Sequence, residues 1–329
     1  MQFNPFGKDQ TNISRVGLGC WQLGSDWGEL DVAEATAILK ATVDSGVTFF
    51  DTADVYGGGR SEEIIGNFLS QAGLQDEIFV ATKLGRLGDL YPDNYTEQGI
   101  RSKVEDSLRR LKTDALDLVQ LHCIPTEVMR GDEVWAILEK LVAEGKIKRF
   151  GASVESMDEA LLCIEKAPAL TSLQIIFNVF RQKPIRKLFD LAIEKQVGII
   201  ARVPLASGLL SGKFSVDTRF GDSDHRNYNK DGEAFNVGET FAGLPFEKGV
   251  SLADQLKPLV PEGMNLAQMA LRWILDHEAV SVVIPGATRI EQARGNAAIA
   301  DLPKLSAELH QTLRGFYKSE VRDQIRGPY

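Results

Sequence analysis

Cysteine and histidine are scarce in this sequence, which contains three cysteines and four histidines among 329 residues. Cys20, Cys123 and Cys163 are odd in number and far apart, which favours free thiols in a reducing cytoplasm over a disulfide framework. The chain has no C-x-x-C pair and no H-E-x-x-H motif, the spacings at which such side chains usually bind a metal. We therefore expect no metal centre.

Basic runs and long apolar runs are also missing. The net charge is −9, and no stripe of basic and aromatic residues appears, so we expect no nucleic-acid partner. No apolar stretch reaches membrane-spanning length, and the first residues lack the apolar core of a secretory signal. These absences favour a cytoplasmic protein, either a monomer or a homo-oligomer, that acts on small molecules.

Short apolar or β-branched runs alternate with helical patterns along most of the chain. Successive runs, except the last, start 25 to 37 residues apart, at Val16, Val47, Ile78, Ala115, Ile147, Ser172, Val197 and Val280. This spacing fits a strand, a helix and two short loops. Repeated strand–helix units predict parallel strands, and eight of them favour an α/β fold of the closed (β/α)8 TIM-barrel type over a doubly wound open sheet.

The glycine-rich nucleotide motifs of the rival folds are incomplete. The segment that starts at Gly17 begins like G-x-G-x-x-G, but Gln22 stands where the third glycine belongs. A Walker A motif also fails, because Lys213 is followed by Phe214 instead of serine or threonine. Neither a dinucleotide-binding open sheet nor a P-loop is therefore favoured.

The last interval contains a segment without periodicity. Residues 214–248 are polar and rich in glycine, aspartate and asparagine, which predicts a long loop after the seventh strand. Loops of this length in compact domains are usually lids or disordered segments, and a static excursion packed on the barrel is the alternative. No interdomain linker is evident, so we interpret residues 1–329 as one domain.

Function in a (β/α)8 barrel lies at the carboxyl ends of the strands. Asp51, Lys83 and His122 end three neighbouring predicted strands, and Tyr56 follows the first of them. A lysine ammonium lowers the pKa of a nearby tyrosine, and a carboxylate keeps the lysine charged. Each residue alone is often structural, but four at adjacent strand ends favour acid–base catalysis on a carbonyl oxygen.

Several segments resemble signatures of the aldo-keto reductase superfamily. They read DTADVYGGGRSEEIIG, ATKLG, LVQLHC, GASVES and VIPGATRIEQARGNAA, and the similarity extends from about Val16 to Asp301. The chain is similar to the bacterial inositol-locus and general stress reductases. The resemblance implies hydride transfer from NADPH to an aldehyde or ketone, such as a sugar or a polyol-derived carbonyl. It makes Tyr56 the general acid, assisted by Lys83 and Asp51, with His122 orienting the carbonyl.

The resemblance also assigns the cofactor pocket. Ser153 and Gln174 would bind the carboxamide, although Val154 replaces the asparagine that usually follows the serine. Arg202 replaces the tyrosine that usually stacks on the nicotinamide, and it would either stack there or pair with a carboxylate. The other implied cofactor residues are Gly19, Cys20, Trp21, Asp51, Pro204, Leu205, Ser207, Gly208, Leu209, Lys213, Gly286, Thr288, Arg289, Gln292 and Asn296. Among them, Arg289 would favour NADPH by binding its 2′-phosphate.

The substrate pocket implied by the resemblance is formed by residues beside the catalytic strand ends. Its walls would be Trp21, Tyr56, Leu84, His122, Cys123 and Ile124. Trp21 could instead plug the core. Cys123 stands where many relatives have a bulky aromatic residue, which implies a roomier pocket.

Two other functions stay open at this point. Non-catalytic potassium-channel β subunits of the same superfamily retain the barrel and bind NADPH, so the four catalytic residues do not exclude such a role. A Schiff-base aldolase would use Lys83 as its nucleophile. That reaction needs a lysine with a lowered pKa, whereas Asp51 would keep Lys83 protonated.

Overall fold

The computed structural model of the protein describes residues 1–24 and 30–329. An antiparallel hairpin of β1 (Phe3–Phe6) and β2 (Thr11–Ser14) precedes eight parallel strands, in which each strand pairs with the next along the chain. These are β3 (Leu18–Gly19), β4 (Phe49–Asp51), β5 (Phe79–Leu84), β6 (Leu118–His122), β7 (Phe150–Ser153), β8 (Ser172–Ile176), β9 (Gly198–Arg202) and β10 (Val280–Val283).

Bridges between the first and last parallel strands close the barrel. Val16 pairs with Val283, and Gly19 pairs with Gly286, both in parallel orientation. The amide of Gly17 donates to the carbonyl of Val283 at 2.8 Å. The predicted (β/α)8 barrel is therefore confirmed.

Helices follow the barrel strands and cover the outside of the barrel. The predicted helix before Gly145 is α5, and Gly145 itself adopts a left-handed φ of 75° just beyond the helix end. The helices are α1 (Val32–Asp44), α2 (Arg60–Ala72), α3 (Glu97–Leu111), α4 (Thr126–Arg130), α5 (Glu133–Ala143), α6 (Met157–Lys166), α7 (Pro184–Lys187), α8 (Phe189–Glu194), α9 (His225–Tyr228), α10 (Phe246–Leu256), α11 (Leu266–Leu275), α12 (Ile290–Ala298) and α13 (Ala307–Phe316). Within the described residues, no helix is long and apolar enough to cross a membrane.

The N-terminal hairpin packs an aromatic cluster into the base of the barrel. The ring of Phe6 makes edge contacts with Phe49 and Phe79, and the centroids are 5.9 and 5.5 Å apart. Phe49 and Phe79 begin their strands and stack at 5.2 Å. The hairpin thus fills the amino end of the barrel with side chains, and the opposite end carries the polar strand termini.

Residues 214–248 are folded and partly buried. They contain α9, 3₁₀ turns at Val237–Glu239 and Phe241–Gly243, and the first turn of α10, none of which the sequence pattern indicated. The Asn229 side chain organises the segment, because its oxygen accepts from the amides of Ala234 and Phe235, both at 2.9 Å. Its amide group donates to the Thr240 hydroxyl at 3.0 Å. Side-chain bonds to the backbone thus give order to a composition typical of loops.

The C-terminal residues hold this segment from outside. The Arg326 guanidinium donates to the carbonyls of Gly243 and Lys230 at 3.0 and 3.1 Å, and it forms an ion pair of 2.7 Å with Asp231. These bonds join two distant parts of the folded segment, residues 230–231 and residue 243, through one side chain.

We expect Arg326→Ala to loosen residues 229–244. A charge-assisted hydrogen bond is worth about 1.5–3 kcal/mol, so amide exchange there should accelerate at least roughly tenfold. Hydrogen exchange with mass spectrometry measures this directly. Arg322→Ala is the matched control, because the exposed Arg322 pairs with its neighbour Asp323. Equal exchange rates in both variants would show that the Arg326 contacts do not stabilise the segment.

Candidate active site

Three of the four predicted catalytic residues form one hydrogen-bonded group. The Lys83 ammonium donates to Asp51 Oδ1 at 2.6 Å, to the Tyr56 hydroxyl at 3.1 Å and to the carbonyl of Thr52 at 2.8 Å. All three of its protons are therefore directed to oxygen atoms. Adjacent strands β4 and β5 bring Asp51 and Lys83 together, and a short turn places Tyr56 above them.

The second carboxylate oxygen of Asp51 is held by two amides. Gln174 on β8 donates to Asp51 Oδ2 at 2.6 Å, and Gln120 on β6 donates to it at 3.3 Å. The carboxylate is 2 % exposed and accepts three hydrogen bonds. This network fixes its position and, through it, the position of Lys83. In this structure Gln174, predicted to bind a carboxamide, contacts Asp51.

Burial keeps Tyr56 in its protonated form. Burial raises the pKa of Tyr56 above its usual value, and the Lys83 ammonium opposes that rise. The sequence predicts that Lys83 lowers the pKa of Tyr56, so the direction of this shift is opposite to the prediction. Burial also works against the charge on Lys83, but Asp51 and Tyr56 hold its pKa above the usual range. The resting pair is therefore a neutral phenol beside an ammonium.

His122 is a neutral imidazole beside this group. Burial, together with the positive charges of Arg86 and Lys83, lowers its pKa well below the usual value. Its ring meets the Tyr56 ring edge-on with centroids 5.9 Å apart. Its Nδ1 atom is buried and has no hydrogen-bond partner among the described residues. A neutral histidine can hydrogen-bond a substrate oxygen without competing for the role of acid.

A cleft of about 870 Å³ opens above these residues. Most of the predicted site residues line it, namely Gly19, Cys20, Trp21, Asp51, Tyr56, His122, Cys123, Gln174, Arg202, Pro204, Leu205, Ser207, Gly208, Lys213, Gly286, Thr288, Arg289 and Gln292. Trp21 stacks on Tyr56 with centroids 5.9 Å apart, so its indole forms part of the wall. The cleft extends from the catalytic group to the ends of β9 and β10.

Six predicted residues do not line the cleft: Lys83, Leu84, Ile124, Ser153, Leu209 and Asn296. Lys83 lies beneath Tyr56. Leu84 and Ile124 are each 2 % exposed and belong to the apolar core, and their assignment to the substrate wall stays a prediction. Leu84 packs into the core because neighbouring residues in a strand point to opposite sides of the sheet, and Lys83 points into the barrel. Asn296 donates to the carbonyl of Gly286 at 3.2 Å.

A charged cluster that the sequence did not reveal forms one wall of the cleft. Arg86 pairs with Glu155 at 2.8 Å, and Arg202 forms a buried ion pair with Glu239. Arg86 and Glu155 follow strand ends and could have been found by extending the search beyond each strand. Glu239 lies on residues 214–248 and gave no signal. The sequence left two roles open for Arg202, stacking on the nicotinamide or pairing with a carboxylate, and in this structure Arg202 pairs with a carboxylate.

The same cluster brings three possible metal ligands together. Donor atoms of Cys123, Glu155 and Glu239 lie within 4.8 Å of one another. Both carboxylates already accept hydrogen bonds from guanidinium groups, and burial raises the pKa of the Cys123 thiol. A cation there would have to displace these pairs. The expectation of no metal stays a prediction.

The far end of the cleft suits a phosphorylated ligand. Arg289 is exposed at the start of α12 and forms no ion pair within the described part of the chain. Lys213 is exposed beside a turn in which Ala206, Ser207 and Gly208 have positive φ values of 49°, 54° and 101°. Left-handed residues in turns form backbone concavities that bind anions. The residues present therefore fit the diphosphate and phosphate groups of a dinucleotide.

A closed barrel with a lysine-bound tyrosine and a neutral histidine at its carboxyl end indicates the class of barrel-fold oxidoreductases. The model of the Aldo/keto reductase family matches residues 15–318. The chain belongs to this family.

Relatives and solved structures agree with this membership. The aldo-keto reductase YhdN of Bacillus subtilis (strain 168) is 28 % identical over 334 residues, which cover 100 % of this chain and 97 % of YhdN. A probable voltage-gated potassium channel subunit beta of Oryza sativa subsp. japonica is 29 % identical, with 98 % of each chain covered.

Two solved structures are similar over nearly the whole chain. The glycerol dehydrogenase AKR11B4 from Gluconobacter oxydans has a TM-score of 0.79 and 30 % identity, covering 99 % of this chain and 98 % of its own. An aldo/keto reductase from Klebsiella pneumoniae in complex with NADP and acetate has a TM-score of 0.71 and 26 % identity. It covers 96 % of this chain and 95 % of its own.

Proposed function

We propose that this protein reduces a small aldehyde or ketone to an alcohol with NADPH, and that Tyr56 is the general acid. The observation that carries the proposal is the contact of 3.1 Å between Tyr56 Oη and Lys83 Nζ, in a cleft large enough for a cofactor and a substrate. Family membership and the NADP-bound Klebsiella structure support the use of NADPH in this proposal.

The residues divide the proton chemistry among them. Bound NADPH supplies the hydride. His122, neutral and buried beside Tyr56, hydrogen-bonds the carbonyl oxygen and orients it. Tyr56 donates its proton to that oxygen as negative charge develops, and Lys83 stabilises the phenolate that remains. Asp51 keeps Lys83 in place and charged.

The cofactor is held at two ends in this proposal. Ser153 is paired with His122 in the sheet and Gln174 contacts Asp51, so both would lie near a nicotinamide that reaches a carbonyl at Tyr56. The turn at residues 206–211 and Lys213 would bind the diphosphate, and Arg289 with Thr288 and Gln292 would bind the 2′-phosphate. Gln292 already accepts hydrogen bonds from the amide and hydroxyl of Thr288, at 2.8 and 3.0 Å, which orders this corner.

We expect Arg289→Ala to weaken NADPH binding roughly tenfold to a hundredfold and to leave NADH binding nearly unchanged. The lost interaction is a charge-assisted hydrogen bond to the 2′-phosphate, worth about 1.5–3 kcal/mol. Fluorescence titration with both cofactors measures the effect. Arg294→Ala, an exposed arginine of the same helix, is the matched control. Equal weakening of both cofactors would mean that Arg289 does not recognise the 2′-phosphate.

The substrate end of the cleft favours neutral molecules rich in hydroxyl groups. Arg86, Glu155 and Asn236 line it together, and they offer both donors and acceptors. The two guanidinium groups of the cluster are matched by two carboxylates, so neither an anion nor a cation is selected by net charge. Sugars and polyol-derived carbonyls fit this description. The similarity to a glycerol dehydrogenase supports the same substrate class.

A non-catalytic NADPH-binding subunit is the second candidate, because a probable channel subunit beta is 29 % identical over nearly the whole chain. A panel of aldehydes, keto-sugars and dicarbonyls, assayed by NADPH oxidation, separates the two functions. We expect measurable turnover with at least one hydroxylated aldehyde. Tight NADPH binding without turnover across the panel would support the regulatory subunit instead.

A further inference from the structure

The carboxylate of Glu239 lies between two guanidinium groups in the wall of the cleft. One of its oxygens accepts from Arg202 Nη1, and the other lies 3.5 Å from Arg86 Nη2. Arg202 also donates to the carbonyl of Val154 at 3.1 Å, so its orientation is fixed on two sides. Arg202 and Glu239 are each 7 % exposed. The ion pair is therefore nearly removed from solvent.

A buried guanidinium needs a counter-charge, because removing one partner of such a pair leaves an uncompensated charge in a medium of low polarity. Burial opposes the charge on Glu239, but Arg202 and Arg86 outweigh it and hold its pKa below the usual range. Glu239 is therefore ionised at neutral pH. Glu155 supplies the second carboxylate of the cluster, through Arg86.

Arg202 lies in the part of the cleft next to the catalytic residues, so its charge and that of Glu239 act there. Arg202 ends β9, and the residues that follow it form the turn that leads to Lys213. Arg202 Nη2 lies 3.7 Å from the Cys123 thiol, which follows the catalytic His122, and Arg202, Tyr56 and Lys213 all line the cleft. The reactive ring of the cofactor would have to lie beside these catalytic residues to transfer a hydride to a carbonyl at Tyr56. That ring is cationic when oxidised and neutral when reduced.

We propose that Glu239 sets the balance between NADP+ and NADPH affinity by cancelling the charge of Arg202 beside the ring. This inference rests on the proposed function. Without Glu239, the unpaired guanidinium would repel the oxidised ring and leave the reduced ring almost unaffected. Without Arg202, the remaining carboxylate would attract the oxidised ring. Glu239 is a positioning and counter-charge residue, not a proton donor.

The test measures dissociation constants for NADP+ and NADPH by fluorescence titration in three variants. Glu239→Gln should raise the ratio of the NADP+ constant to the NADPH constant at least about tenfold, the size expected for unit charges several ångströms apart at an effective dielectric constant near 20. Arg202→Gln should lower the same ratio. The double variant should return close to the wild-type ratio.

Opposite shifts separate an electrostatic role from a structural one. If Glu239 only anchored residues 214–248, Glu239→Gln and Arg202→Gln would weaken both cofactors in the same direction, and the inference would be wrong. Glu155→Gln is the control within the cluster, because Glu155 pairs with Arg86 and Asn236 and not with Arg202. Its effect on the ratio should be smaller than that of Glu239→Gln. Wild-type protein that binds neither cofactor would contradict the proposed function itself.

Discussion

Tyr56→Phe should lower kcat for carbonyl reduction by at least about 100-fold, the contribution typical of general acid catalysis. Phenylalanine preserves the stacking with Trp21 and removes only the hydroxyl that contacts Lys83. NADPH affinity should stay nearly unchanged, because none of the proposed cofactor contacts uses the Tyr56 hydroxyl. Steady-state kinetics and fluorescence titration of the same variant give both quantities.

Tyr95→Phe provides the matched control for this substitution. Tyr95 is also buried, but its hydroxyl donates to the carbonyl of Gly85 at 2.8 Å and does not line the cleft. The control should retain activity while losing some stability. Near-normal reduction by Tyr56→Phe, with Tyr95→Phe unchanged, would refute the assignment of the acid.

Lys83→Met should abolish activity and also destabilise the fold. Lys83 is fully buried, and its ion pair with Asp51 is 2.6 Å long. Breaking a buried pair by removing one partner typically costs about 3–5 kcal/mol, since the other charge is left uncompensated. The loss of the ammonium also removes the group that stabilises the Tyr56 phenolate, so kcat should fall by at least about 100-fold.

The double variant Lys83→Met with Asp51→Asn distinguishes these two effects. It removes both charges, so it should recover part of the free energy of unfolding that Lys83→Met loses, measured by urea denaturation. It should not recover activity. Recovery of turnover in the double variant would show that Lys83 has only a structural role.

Much of the barrel could be predicted because its signals are local. Eight apolar runs, the first seven of them 25 to 37 residues apart, identified all eight parallel strands. Asp51, Lys83 and His122 were found because parallel strands end at the same side of a barrel. The hairpin of β1 and β2 was missed, since strands of four residues have too little alternation to detect. The helix α10 was missed because it follows a segment without periodicity.

The parts of the site that were missed depend on contacts between distant residues. Glu239 reaches Arg202 from 37 residues away, on a segment whose composition is typical of a loop. The order of that segment comes from Asn229 and Arg326, and a sequence pattern does not show which backbone groups such side chains bind. Leu84 follows Lys83 in the chain but packs into the apolar core, since neighbours in a strand point to opposite sides. Whether residues 214–248 move when cofactor binds stays a prediction.

The proposed reaction transfers hydride directly from NADPH to a carbonyl carbon while Tyr56 protonates the oxygen. The most direct measurement uses NADPH carrying two deuterium atoms at C4, together with the carbonyl compound that the wild-type protein reduces fastest. Mass spectrometry and NMR of the alcohol should show one deuterium on the carbinol carbon. Tyr56→Phe should form this deuterated alcohol only at its low residual rate. Alcohol without deuterium on that carbon, or no alcohol at all, would contradict the account.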